Sequence, residues 1–116
     1  MARRYYALAA ALFALGVLGF LLPGPLFGFF DVTPASNAIH LGAGVLTALA
    51  ARRGLGTMRS WGQMLGYLFA GLTIAAVATD GSSVANLLPL TNSNAWFHLA
   101  LSLVFLYHAL LAPPTL

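Results

Sequence analysis

Four stretches of apolar residues follow one another along the chain, and short polar or proline- and glycine-rich segments separate them. The stretches cover roughly residues 5–22, 34–51, 61–79 and 92–111. A helix rises about 1.5 Å per residue, so each stretch is long enough to cross most of a bilayer core of about 30 Å. The pattern therefore predicts an all-α fold, a bundle of four transmembrane helices.

Two threonines indicate where the second and fourth helices begin. Thr33 precedes Pro34, and a threonine hydroxyl can accept a hydrogen bond from the free backbone amides of a first helical turn. Proline suits the first helical position, because the N–H that it lacks would have no partner there. Thr91 precedes the fourth stretch in the same way. We expect Thr33 and Thr91 to be helix N-caps.

The second half of the chain repeats the order of the first. With a shift of 58 positions, Thr33 and His40 fall on Thr91 and His98. Repeats of this length are copies of one supersecondary unit. Two helices per copy mean that both copies enter the membrane with the same topology, as two tandem helical hairpins. We therefore expect one integral membrane domain, residues 1–116, with internal repeats of about 1–57 and 58–116.

The composition agrees with a lipid environment. Charged residues make up 6% of the chain and apolar residues 60%, whereas about a quarter of the residues in soluble domains are charged. A soluble fold of this size could not bury so much apolar surface. The chain has no cysteine, which excludes disulfides and thiolate metal sites.

All the positive side chains fall on one side of the predicted topology. Positive residues in short connections resist translocation, so we expect both termini and the central connection on the cytoplasmic side of the membrane. We also expect these guanidinium groups to contact anionic lipid headgroups at the cytoplasmic face. Since the membrane explains them, we expect no nucleic-acid partner. The five residues are Arg3, Arg4, Arg52, Arg53 and Arg59.

Small residues at a spacing of four predict where the helices touch. Gly62, Gly66 and Ala70 form one such ridge on the third helix, and Ala43 and Thr47 belong to another on the second. Small side chains let helix backbones approach closely in lipid. Packing within the bundle is the favoured interpretation, and a homo-oligomer interface is the alternative.

His40 and His98 are the sharpest candidates for a functional site. His40 lies about six residues into its helix, about 9 Å from the outer end, and the repeat places His98 at the same depth. A twofold relation between the copies could direct both rings at one central site. Such a pair could bind haem iron axially, or copper or zinc together with further ligands.

A structural role for the two rings stays open beside this one. His40 shares a helix face with Gly44 and Thr47, and His98 shares one with Ser102, so either ring could form a hydrogen bond within the bundle. The chain would then need no cofactor and no metal. The sequence contains no nucleophile with a base, no phosphate-binding loop and no paired carboxylates, so we do not expect an enzyme.

A resemblance adds to this picture. The apolar stretch, the hydrophobic loop and the element Asn37-x-x-His40-Leu41 together resemble a family of small bacterial four-span membrane proteins of unknown function. The resemblance covers nearly the whole chain and implies the same topology, in the inner membrane of a bacterium, but it implies no activity. In the second half of this chain Asn94 stands four positions before His98, where the first half has a spacing of three.

Three classes of function remain. The first is a structural or accessory component of a larger membrane complex that acts through helix packing, and the sequence favours it because it shows contact surfaces and no reaction centre. The second is a haem- or metal-binding membrane protein that uses His40 and His98. The third is a small transporter, although proton-coupled transport needs a charged group inside a span, and both acidic residues, Asp31 and Asp80, lie in predicted connections.

Overall fold

The described part of the protein is entirely helical. A computed structural model describes residues 1–22, 24, 33–78 and 92–114, and no strand occurs among them. The helices are α1 (Ala2–Leu21), α2 (Pro34–Arg53), α3 (Leu55–Ala78) and α4 (Asn92–Leu106), and α4 continues into a π-helical turn at Tyr107–Leu111. The predicted all-α class is confirmed. Thr91, the other predicted N-cap, lies outside the described residues, as do Asp31 and Asp80.

Three of the helices are long and apolar enough to cross a membrane: Ala2–Leu21, Leu55–Ala78 and Asn94–Leu111. The helix α2 is as long as α1, 20 residues, but its first two turns contain Ser36, Asn37 and His40. These polar residues lower its mean hydropathy. Length and composition alone therefore support three of the four predicted spans.

The connection between α2 and α3 is much shorter than the sequence suggests. We expected residues 52–60 to lie outside the helices and the third helix to begin at Trp61, and this was wrong. Only Gly54 separates α2 from α3. Its φ of 114° is a conformation that glycine adopts without steric cost, because it has no Cβ. Arg59 therefore lies inside α3, near its first turn.

The beginning of α2 is fixed by its own side chains. The Ser36 backbone N–H donates to the Thr33 hydroxyl over 3.1 Å, and the Thr33 backbone N–H donates to the Ser36 hydroxyl over 3.0 Å. This reciprocal pair satisfies two amides that the helix leaves free. Pro34 occupies the first helical position. Because the cap fixes this start, it also fixes the depth of His40 in the helix.

The helices pack most extensively in two pairs, α1 with α2 and α3 with α4. In the first pair the backbones touch at glycines. A Cβ added to Gly44 would lie 2.8 Å from the Phe13 backbone nitrogen and 2.9 Å from the Ala9 carbonyl oxygen, and one added to Gly16 would lie 2.8 Å from the Leu41 nitrogen. These contacts leave no room for a side chain, so the approach of α1 to α2 requires glycine.

The core contains side chains from all four helices. Leu12, Ala43, Phe69 and Phe105 are all buried in one cluster, and they come from α1, α2, α3 and α4 respectively. A second cluster lies toward the chain termini and includes Met1, Tyr5, Ala51, Met58 and Ala112.

The predicted ridges of small residues lie partly in these contacts. Gly62 and Gly66 are buried, and a Cβ at Gly66 would meet the side chain of Leu106 in α4 at 2.5 Å. Ala43 and Thr47 are buried on α2, whereas Ala70 is only partly buried.

Two glycines on α2 give a matched test of the backbone contact. We expect Gly44→Ala to lower the free energy of unfolding by about 1–3 kcal/mol, because backbone atoms of α1 must move to admit the methyl group. At Gly42 no heavy atom beyond its chain neighbours and the nearby backbone of α2 lies within 4 Å of the place that a methyl group would take, so Gly42→Ala should be neutral or stabilising by up to about 1 kcal/mol. Thermal unfolding in detergent, followed by circular dichroism, measures both. Equal losses for the two variants would contradict the close approach.

Candidate functional site

The candidate site is a cavity of about 110 Å³ between α2, α3 and α4. Both predicted site histidines line it, and so do two other polar side chains. We call it the histidine cavity. Its lining comprises Ser36, Ile39 and His40 from α2, Leu68, Phe69 and Leu72 from α3, and Asn94 and His98 from α4. No arginine and no carboxylate belongs to this set.

The polar side chains that line the cavity stand at a spacing that matches the predicted repeat. Ser36 and Asn94 are 58 positions apart, and so are His40 and His98. The helices that carry them also begin 58 positions apart, at Pro34 and Asn92. Each of these two helices therefore contributes one histidine and, one turn earlier, one smaller polar side chain.

The two imidazoles line one cavity although the backbones of α2 and α4 are not in close contact. No Cα atom of α2 lies within 8 Å of a Cα atom of α4. The ring of Phe97 contacts both: its centroid lies 6.0 Å from that of His40, at 82°, and 5.8 Å from that of His98, at 45°. The two histidines thus belong to one cluster of rings, in which an apolar ring touches each of them.

His98 is the more enclosed of the two. Its side chain is 7% exposed, and its ring stacks on Phe69 with 5.6 Å between centroids and 17° between planes. Its Nδ1 atom is buried and has no hydrogen-bond partner in the described part of the chain. A buried polar atom left in this state costs about 1–3 kcal/mol. A ligand that bonded to the ring would remove that cost.

The described residues offer few further ligands for a metal. No group of three or more histidines and carboxylates comes together among them, whereas a closed zinc site needs four ligands. The cavity is also smaller than the roughly 300–1,000 Å³ of pockets that hold drug-sized molecules.

Other polar side chains hold the helices together. The Trp61 indole N–H donates to the Thr47 hydroxyl over 2.8 Å, which links α3 to α2, and the Ser102 hydroxyl donates to the Gly66 carbonyl over 2.8 Å, which links α4 to α3. Thr47 also donates to the Ala43 carbonyl over 2.6 Å. Sequence reasoning missed the first contact, because a tryptophan at the end of an apolar stretch is typical of the membrane interface.

Two of the five arginines form hydrogen bonds within the protein, at the end of the bundle where the chain termini lie. Arg59 donates to the carbonyl oxygens of Ala109 and Ala112, over 2.9 and 3.1 Å, where the last turn leaves backbone acceptors free. Arg4 donates to His108 Nε2 over 3.5 Å. The other three, Arg3, Arg52 and Arg53, are exposed. Contact of the arginines with lipid headgroups stays a prediction.

Comparison with known families shows to which family the chain belongs. Its sequence matches the domain of unknown function DUF4383 over residues 4–111, which is nearly the whole chain. The protein belongs to the DUF4383 family. Membership agrees with the expected resemblance to a family of unknown function, and the description of DUF4383 assigns it no activity. Neither the curated proteins nor the solved structures contain a match to this DUF4383 protein.

A change of His98 tests whether the fold needs the nitrogen atoms of its ring. If the imidazole only fills space beside Phe69, His98→Phe keeps the stacking and removes the unpaired nitrogen, so the melting temperature should stay constant or rise. The matched control is Ser102→Ala, which removes a helix-to-helix hydrogen bond and should cost about 0.6–1.7 kcal/mol. Circular dichroism melts in detergent measure both. A large loss of stability for His98→Phe would show that the nitrogen is needed for the fold.

Proposed function

We propose that this DUF4383 protein is a bacterial inner-membrane protein with four spans. In this proposal α2 crosses the membrane in addition to the three helices that are long and apolar enough to do so. Its length supports a span, since α2 has as many residues as α1 and lies along it. Its most polar side chains in the first turns, Ser36 and Asn37, are buried within the bundle and thus shielded from lipid. The two most extensive helix pairs then correspond to the two halves of a duplicated chain, each half a helical hairpin.

The orientation follows from the arginines, as argued from the sequence. Arg52 and Arg53 end α2, and Arg59 lies near the start of α3, so the junction of these helices carries three positive charges. Positive residues flanking a span stay on the cytoplasmic side. Both termini then lie in the cytoplasm together with this junction. Anionic lipids are the partners that these charges favour.

We further propose that the protein is an accessory component of a larger membrane complex and acts through helix packing, not catalysis. The observation that carries this proposal is that the polar side chains of the bundle form hydrogen bonds to one another and to the backbone. Thr47, Trp61, Ser102 and Arg59 all form hydrogen bonds inside the bundle, so they stabilise helix contacts and leave no reactive constellation among the described residues. The surface facing outward is apolar, and its exposed side chains include Ile74, Val77 and Trp96.

The test of this function is the state of the protein in its own membrane. Chemical crosslinking before solubilisation, followed by native mass spectrometry in a mild detergent, should show a species larger than the 12.1 kDa monomer that contains a second membrane protein in fixed proportion. A species that contains only copies of this chain would replace the complex with a homo-oligomer. A monomer under every condition would contradict the proposal.

A second candidate is a binding protein that uses the histidine cavity. It is favoured because His40 and His98, from corresponding positions of the two halves, line one cavity. An absorption spectrum and metal analysis of gently purified protein test it, beside the double variant His40→Ala, His98→Ala. Bound metal or a chromophore that the double variant lacks would support this candidate, and equal content in both proteins would remove it.

A further inference from the structure

An open groove lies on the outer surface of the α1–α2 pair, and no other described helix fills it. It has a volume of about 420 Å³ and is separate from the histidine cavity. Of the residues that line it, Ala9 and Gly44 are buried, whereas Phe13, Val45 and Leu49 are 44–48% exposed. Small residues thus form its floor and larger apolar side chains form its rim. We call it the α1–α2 groove.

The tight contact of the two helices explains the shape. At Gly44 the backbone of α2 touches α1, and a Cβ at this position would meet the Phe13 nitrogen at 2.8 Å. Because Ala9 and Gly44 are the residues in contact at this point, the surface above them stays open. The groove follows from the same close approach that holds the pair together.

One end of the groove is polar and positive. Arg52 and Tyr6 line it together with the apolar residues, and both are exposed. From Gly44 to Arg52 a helix rises about 12 Å, and one leaflet of a bilayer core of about 30 Å is about 15 Å deep. The apolar part therefore has about the length of one leaflet and ends at a guanidinium group.

We propose that the α1–α2 groove binds one anionic phospholipid of the inner leaflet, with an acyl chain along the groove and the phosphate at Arg52. Charge complementarity selects this occupant. A guanidinium group forms paired hydrogen bonds to a phosphate. A transmembrane helix of a partner would instead place an apolar surface against Arg52. The proposal needs the bundle to lie in a bilayer, but it does not need the protein to join a complex.

Adjacent arginines give a matched test. Protein reconstituted in equal parts of phosphatidylglycerol and phosphatidylcholine is extracted in mild detergent, and the retained lipids are counted by native mass spectrometry. Arg52→Gln should reduce retained phosphatidylglycerol about tenfold or more, because it removes paired hydrogen bonds to the phosphate as well as a surface charge. Arg53→Gln removes the same charge from a residue outside the groove lining and should reduce retention about fivefold at most, the effect of general surface charge alone. Equal losses for both variants would reduce the site to general surface charge and overturn the proposal.

The apolar half of the site has its own test. Ala48 lines the groove, whereas Ala14 is exposed on α1 and does not line it. Ala48→Leu should fill the groove and displace the lipid, and Ala14→Leu should not. If Ala48→Leu instead abolished self-association and left lipid retention unchanged, the occupant would be a second copy of the chain and the lipid site would be wrong. Absence of a protein partner, with lipid retained by the unsubstituted protein and lost in Ala48→Leu, would contradict only the proposed function.

Discussion

The backbone contact between α1 and α2 is the interaction on which the rest of the structure depends. Lipid tails are as apolar as leucine, so helices in a bilayer gain little from burying apolar side chains and associate through close packing and hydrogen bonds. Gly16 and Gly44 supply that closeness, because the positions where their Cβ atoms would lie are occupied by backbone of the other helix. The contact matters most for α2. Its polar first turns make it the least apolar of the four helices, and α1 covers part of them: the side chain of Asn37 packs against Gly19 and is 3% exposed.

The features with functional interest follow from this pairing. The capping pair at Thr33 and Ser36 fixes where α2 begins, and the contact with α1 fixes which side of α2 faces α3. The Trp61–Thr47 hydrogen bond then holds that side in place, and His40 lies on the cavity that α2, α3 and α4 enclose. On the other surface, the same glycine contact leaves the open α1–α2 groove. One close approach thus positions both the histidine cavity and the groove that we assign to lipid.

The sequence predicted most of the helices but not the junction of α2 and α3. Runs of apolar residues and the Thr33-Pro34 signal are local features, and they locate α1, α2 and α4 to within a few residues. The segment around Arg52, Gly54 and Arg59 looked like a loop, because its charge and glycine content are typical of one. It is helical on both sides of Gly54, and Arg59 is held by carbonyl groups of Ala109 and Ala112, a contact between positions 50 or more residues apart that no local pattern reveals. The sequence predicted that His40 and His98 could face one site, and both line the histidine cavity. The contact of the Phe97 ring with both histidines depends on side-chain packing across helices, which periodicity does not specify.

The central claim is that α2 crosses the membrane beside α1. The protein contains no natural cysteine, so single cysteines at Ala35 and at Arg53, the two ends of α2, report its orientation directly. A membrane-impermeant maleimide added to intact cells should label Ala35→Cys and leave Arg53→Cys unlabelled until the membrane is opened. Labelling of both positions from outside, or of neither, would contradict a crossing α2 and the paired hairpins built on it.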